Sequence, residues 1–373
     1  MKRYLLSWVM ILLLLTGCWD QQMIKDARLV YATAFDLTDD DKIKATSAIR
    51  GFMAGGETGG GVPQNEVVQA TGVNLRKTRI NIDHELSNTF NPSKNRVFMY
   101  STEIAEQGLY PFLDVFYRDP RSSLNSKLAV TEGEAGKILE MYRKGNTLIG
   151  EFVEEMIISG EDHTVVPRVD VQTVCPVFFN EGKDPYVPYI GFDEEKQEIS
   201  LKGVALFDDD KMTGHLNADE SKLLLLLHNK KRKIARYVQK VSDESEQEIE
   251  NYLSFHIKKN KSKMTVTPLA DSSITAAFNV YMAVNVIEYP HDDLMSKKHI
   301  DHLNKKLSTL MTKDANKVLE KLKEANSDPF GVGLELMAFH PEVWKKLDWK
   351  KEYPKIKMEA KVNVEIVDHG IIN

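Results

Sequence analysis

The chain has 373 residues, 42% of them hydrophobic and 28% charged, with a formal net charge of −6. That length exceeds one ordinary core, so two or three domains are expected. The acidic balance lacks the basic face that displaces counterions from nucleic acid, which excludes nucleic-acid partners.

At the N-terminus, Lys2 and Arg3 precede an apolar block from Leu5 to Leu15. At ~1.5 Å per helical residue this block reaches roughly 16 Å, about half of a ~30 Å hydrocarbon core. It therefore reads as a secretory signal, residues 1–17, and not as a membrane span. Leu15-Thr16-Gly17-Cys18 fits the bacterial lipobox. Its chemistry needs the cysteine: the thiol takes a diacylglyceryl group, small residues at 16 and 17 admit the peptide bond to the peptidase, and cleavage leaves Cys18 as the acylated N-terminus. Cys18 is thus the expected lipidation site, S-diacylglyceryl and N-acyl. Two or more chains hold a protein on a membrane where one does not. Losing Lys2 and Arg3 with the signal takes the net charge from −6 to −8, so the acyl chains carry the attachment. Cys175 then has no disulfide partner. Its setting, "VQTVCPVFF", predicts a buried, inert thiol.

After the polar leader "CWDQQMIKDA", the segments "RLVYATAFDL" and "KIKATSAIRGFM" read as strands around the turn "TDDD". "AGGETGGGVP" (54–63) has five glycines but no Lys-Ser/Thr after them; it reads as a flexible hairpin tip, not a phosphate loop. "EVVQATG" follows as a strand. Residues 75–90 read as a charged helix ended by Asn91-Pro92, and "NRVFMY" as a buried strand. "TEIAEQGLYPFLDVFYRDP" gives a short helix, a Gly break and a second helix; "SKLAVTEG" and "GEAGKILEMYRK" give another strand and helix. This alternation predicts a mixed α/β domain over residues 18–190.

Composition turns Pro-, Gly- and acid-rich at 180–197, where a boundary is expected. Beyond it, residues 191–373 form a second α/β region, read as a small module (191–235) and a larger one (236–373). "EISLKGVALFDDDKMTGHL" predicts two strands around Asp208–Asp210. "NADESKLLLLL" predicts a helix capped by Asn217, whose leucine run is stopped by "HNKKRK" before it nears a membrane span. "YLSFHIKKN", "SKMTVTPLA" and "SSITAAFNVYMAVNVIEYP" read as three strands. From Asp292 to Ala325, Ile300, Leu303, Leu307, Leu310, Val318 and Leu322 recur at helical steps, predicting a long helix laid across those strands. "PEVWKKLDW" reads as a short helix, and alternation from Ile356 to Ile366 as a closing strand. The fold class is therefore mixed α+β, with mixed sheets, packed helices and one long helix.

No catalytic pattern emerges. His299 and His302 sit at helical spacing around Asp301 but have no further ligand nearby, so they read as solvated. There is no Gly-x-Ser-x-Gly elbow, Walker loop or dinucleotide fingerprint. The reading is a non-enzyme with no catalytic residues, no metal and no cofactor.

Four stretches together resemble the Ger(x)C family, the lipoprotein C subunits of nutrient germinant receptors in endospore formers. They are "GCWDQQMI", "NPSKNRVFMYSTEIAEQGLYPFLDVFYRDPRS", "LKGVALFDDDKMTGHLNADES" and "DPFGVGLELMAFHPEVWKKLDW" before "DHGIIN". Lys222 departs from the family's Arg-Gly-like continuation. The resemblance implies three α/β modules on the outer surface of the spore inner membrane. It also implies two integral-membrane partners, a polytopic A subunit and a transporter-like B subunit, with a role in receptor assembly or signalling. The competing class is a lipid-anchored solute-binding protein, which should show two similar lobes of repeated βαβ units. A tethered cell-wall hydrolase lacks its motifs.

Overall fold

The computed structural model describes residues 27–53, 62–141, 148–269 and 273–370. The signal, the lipobox with Cys18, the leader and the glycine-rich segment at 54–61 lie outside the described residues.

The first half builds one mixed sheet. Strands β1 (Ala27–Leu37), β2 (Ile43–Met53) and β3 (Val62–Gly72) form an antiparallel meander. Helix α1 (Leu75–Glu85) and the short strand β4 (Thr89–Asn91) lead to β5 (Val97–Ser101). Then come α2 (Thr102–Gln107), α3 (Asp114–Arg118), β6 (Lys127–Thr131), α4 (Gly136–Met141), α5 (Ile149–Asp162), α6 (Val171–Phe178) and β7 (Tyr186–Asp193). Strands β8 (Glu198–Asp208) and β9 (Lys211–Asn217) complete the order β3-β2-β1-β5-β6-β7-β8-β9, with β4 beside β1. The boundary expected at residue 190 falls inside β7, and hydrogen bonding carries the sheet onward to Asn217.

The helix expected over 75–90 stops at Glu85. Leu86 is extended, and Asp83 accepts the amide of Phe90 at 2.8 Å, turning the chain into β4, parallel to β1. Helices α5 and α6 are not announced by the sequence.

Strand alternation gives this sheet two apolar faces. Phe98, Tyr100, Leu128 and Val130 face outward against Leu75 and Ile82 of α1, Ile104 of α2, Phe116 of α3 and Val171 of α6. Val97, Met99 and Ala129 face the opposite way, where α5 packs with one flank exposed and a further helix, α7 (Ala218–Leu227), is buried between the two sheets. That position explains the leucine run. Leu223 to Leu227 are all buried, as a helix covered on every side requires. Asn217 caps α7 as the sequence indicates, accepting the amides of Asp219 and Glu220 at 3.0 Å while Glu220 accepts the amide of Asn217. Lys222 bonds Asp219 and the carbonyl of Arg236.

The second sheet has the order β10 (Arg236–Lys240), β11 (Tyr252–Pro268), β12 (Ile274–Glu288), β13 (Lys357–Asp368). β11 is one strand of 17 residues, not two; its pairing runs unbroken through Lys261, where the sequence reads as a break, and the register slips earlier, between Ile257 and Lys259. Between β12 and β13 run α8 (Lys297–Glu324), α9 (Val332–Phe339), α10 (Pro341–Trp344) and α11 (Trp349–Glu352). Because α8 crosses over, β13 pairs parallel to β12, whereas β10, β11 and β12 are antiparallel. Asp292 and Asp293 take left-handed φ values of 62° and 66°, so α8 starts later than expected, capped by Ser296. Leu303, Leu307, Met311, Val318 and Leu322 are buried against the sheet, while Lys305, Lys306 and Lys313 are exposed.

The polar side of α8 has a second task that periodicity did not announce. Asn304, Ser308, Thr312 and Asn316 accept the amides of Ile366, Val364, Val362 and Ala360, at 2.8 to 2.9 Å. Four helical residues advance ~6 Å and two strand residues ~6.6 Å, so an i, i+4 row matches every second amide of an edge strand. The free edge of β13 is thereby covered by side chains, which blocks pairing with another strand. Thr312→Val keeps the shape and removes the acceptor. It is expected to cost about 1–2 kcal/mol and to speed amide exchange at Val362. Unchanged exchange there would deny the row its role.

Candidate functional site

Of the residues singled out from sequence, Cys18 lies outside the described residues. Cys175 sits on α6, half-buried rather than fully buried, because Pro176 and Cys175 lie toward the helix's open flank; its thiol lies against Tyr117. His299 Nε2 lies 3.1 Å from the Tyr289 hydroxyl, and His302 is exposed. Nothing else converges on them to form a ligand set among the described residues.

The fold instead brings together segments that lie far apart in the chain. Their centre is the β8–β9 turn, Asp208–Asp210, where Asp209 has φ 53°. The Asp210 carbonyl accepts the amide of Leu109 at 2.7 Å. Gly108, in "GLYPF", has φ 128°, and a Cβ there would stand 2.9 Å from Asp210 Oδ2, so only glycine fits. On the other side, the Asp209 amide donates to Asp184 Oδ1 at 2.8 Å, and the Asp328 amide to Asp184 Oδ2 at 2.7 Å. The Asp184 amide returns a bond to the Asp328 carbonyl at 2.9 Å. Asp328 itself, fully buried, accepts the amides of Gly331, Val332 and Gly333 at 2.9 Å each and so caps the start of α9. Gly333 packs on Gly182 so closely that a Cβ would come within 2.7 Å of backbone.

Three carboxylates, of Asp184, Asp208 and Asp209, come within 4.8 Å of one another. They are already engaged: both Asp184 oxygens take amides, Lys350 pairs with Asp208 at 3.3 Å and also with Asp209, and Asn326 donates to Asp208 at 3.0 Å. A lysine thus supplies the positive charge that a cation would bring. The arrangement ties β7, β8, the end of α8 and α9 together and contains no nucleophile–base pair.

Burial pushes the Asp184 carboxyl up to about 7; its two amide donors oppose this, and the charges of Asp328 and Asp208 add to it. Burial likewise lifts Asp328 to about 6 against its three amides and Lys183. The folded Asp184 therefore holds its proton where the unfolded one has lost it. Its stability contribution is full below about 4 and is lost as pH rises through about 7. Asp184→Asn is expected to be less stable throughout, with a flatter fall between those pH values when melting temperature is followed against pH. A parallel profile would show that Asp184 does not titrate there.

The "YRDPRS" turn forms a separate hub, where Asp119 collects Arg79 at 2.9 Å, Arg76 at 3.1 Å and Arg121 at 3.4 Å, beside a cleft of about 1040 Å³.

Comparison with known proteins decides the family. Residues 20–192 match the spore germination protein N-terminal domain, and residues 202–370 match the spore germination B3/GerAC-like C-terminal domain. The chain belongs to the Ger(x)C family of spore germination proteins. Similar proteins include the putative spore germination protein YfkR of Bacillus subtilis, 25% identical over 98% of this chain and 96% of that one. Spore germination protein GerQC of Bacillus cereus is 21% identical over 100% and 99%. Spore germination protein KC of B. subtilis is 23% identical over 100% and 97%. The crystal structure of the GerBC protein shares the fold, with a TM-score of 0.58 and 17% identity over 90% of this chain and 97% of that one. Three of the four stretches that carry the family resemblance meet at the Asp184–Asp328 junction: "GLYPF", "LFDDDK" and "DPFGVG". The signal that could have found it is Asp328-Pro329 followed by Gly331 and Gly333, an acid placed to cap the helix that follows.

Proposed function

We propose that this Ger(x)C protein is the non-enzymatic C subunit of a nutrient germinant receptor, serving receptor assembly or signalling beside integral-membrane A and B subunits. The observation that carries the reading is the tandem of both family domains, residues 20–192 and 202–370. The lipobox supports attachment through Cys18 to the outer surface of the spore inner membrane. Among the described residues no helix is long and apolar enough to cross a membrane. In this reading residues 18–190 and 191–373 are the two functional units, and a subunit without chemistry acts through the surfaces it holds in place. The junction at Asp184 and Asp328 supports that role by tying the two sheets' helices and turns into one body.

Cys18→Ala is expected to abolish incorporation of labelled fatty acid and to leave precursor or shed protein. A variant that still takes up label and stays on membranes would refute the anchor. Affinity capture of the intact protein from spore membranes is expected to bring two polytopic membrane proteins with it. Recovery of an ATPase and permease instead would favour a transporter's solute-binding protein.

A further inference from the structure

A cleft of about 450 Å³ opens beside the junction, between the start of α6 and the turn that follows α7. Its walls are apolar, from Val166, Val174, Val177 and Leu225, and its rim is cationic: Arg168, Lys183, Lys230, Lys231 and Arg232. Among the described residues the only acid that lines it is Asp184, whose two oxygens are taken by backbone amides. Five cations crowd this one concavity on a chain of net charge −6. Among the described residues these five form no ion pair. Lys231 reaches only the Arg232 carbonyl at 3.0 Å, and Lys230 only the Tyr186 hydroxyl at 3.3 Å.

We propose that this cleft is an anion site for a small phosphate- or carboxylate-bearing molecule, held by Lys183 and Lys230 at its floor and by Arg168, Lys231 and Arg232 at its rim. The volume is that of a small-ligand pocket, and apolar walls strengthen each charge by thinning the water between it and a bound anion. A bound anion would ease both the burial of these ammonium groups and the repulsion of Lys230 by Lys183. Lys230 shows this. Though the residue as a whole is exposed, its ammonium lies 5.6 Å from the Tyr186 ring centre, where burial and the charge of Lys183 hold it down to about 8. Burial holds Lys183 and Lys231 below the usual lysine range too, with Asp328 opposing at Lys183. His228, behind Tyr186, is kept neutral by burial, Lys230 and Lys183. Guanidinium groups at the rim suit the paired oxygens of phosphate and carboxylate.

The test is calorimetric titration of the full chain in detergent with inorganic phosphate and with citrate at low salt. In parallel, binding is measured to vesicles of phosphatidylglycerol and of phosphatidylcholine. An acyl anchor binds both vesicles alike, so the excess on phosphatidylglycerol is the readout. Saturable binding of phosphate or citrate near one per chain would identify a free solute, and an excess on phosphatidylglycerol alone a lipid headgroup. Either must weaken by about tenfold or more in Lys183→Gln/Lys230→Gln and persist in Lys305→Gln/Lys313→Gln. Should the first pair fail to fold by melting curve, Lys231→Gln/Arg232→Gln replaces it, with the same expectation. No binding in any arm, or equal loss in the α8 lysine variant, overturns the proposal.

Discussion

Asp328→Ala is expected to destabilise the protein by about 3–5 kcal/mol. The carboxyl is fully buried and accepts three amides at the start of α9, each at 2.9 Å. Removing it leaves three buried donors without a partner, at about 1–3 kcal/mol each before relaxation. The effect should spread, because the Asp328 backbone bonds Asp184 in both directions and Asp184 holds the Asp209 amide. Asp328→Asn keeps one acceptor oxygen and should lose less. Denaturant unfolding checks both, and an alanine variant within about 1 kcal/mol of wild type would mean that the cap is not what holds α9. In spores, the expected consequence is lower abundance of the protein, not an altered nutrient response.

Leu307→Ala is expected to cost about 2–5 kcal/mol, the loss for a fully buried leucine whose site cannot collapse. Leu307 is 0% exposed and sits midway along α8, between buried Leu303 and Met311, against the second sheet. Reversing the charge of Lys305 or Lys313, both exposed on the same helix, should change stability by no more than about half a kcal/mol. Wild-type stability in the alanine variant would sink the assignment of the apolar stripe to the protein's own core. The same contrast separates a core stripe from one that awaits a partner helix in a coiled coil, which would be exposed in the isolated chain.

What could be read from the residues follows the range of the interactions. The Asn217 cap and the α8 stripe are local, and so is β13, whose alternation appears as buried Met358, Ala360, Val362, Val364 and Ile366. Each is written within a few turns or strand repeats. The extra helices α5, α6 and α9 are less legible, because α5 and α9 carry glycines inside and α6 a proline at position 176. The single β11 reads as two strands because a polar run of lysines marks its exposed half, not a turn. The row from Asn304 to Asn316 reads as a solvated face, since polar residues at i, i+4 look the same whether they accept from water or from the amides of an edge strand.

The junction was the least accessible. Asp184 and Asp328 are 144 residues apart, and "NEGKDP" reads as a linker because its polar groups are satisfied only by distant backbone. The cationic cleft was seen in halves: "HNKKRK" reads as a solvated charge block, and nothing in the sequence brings Arg168 and Lys183 to it.

The role as a receptor subunit is tested by germination of spores that lack this gene, scored against nutrients and against a trigger that needs no receptor. Nutrient germination is expected to fail in the deletion and to return with the wild-type gene but not with the Cys18→Ala allele, while the receptor-independent trigger works in every strain. Normal nutrient germination in the deletion strain, with every other receptor of the organism also removed, would contradict it.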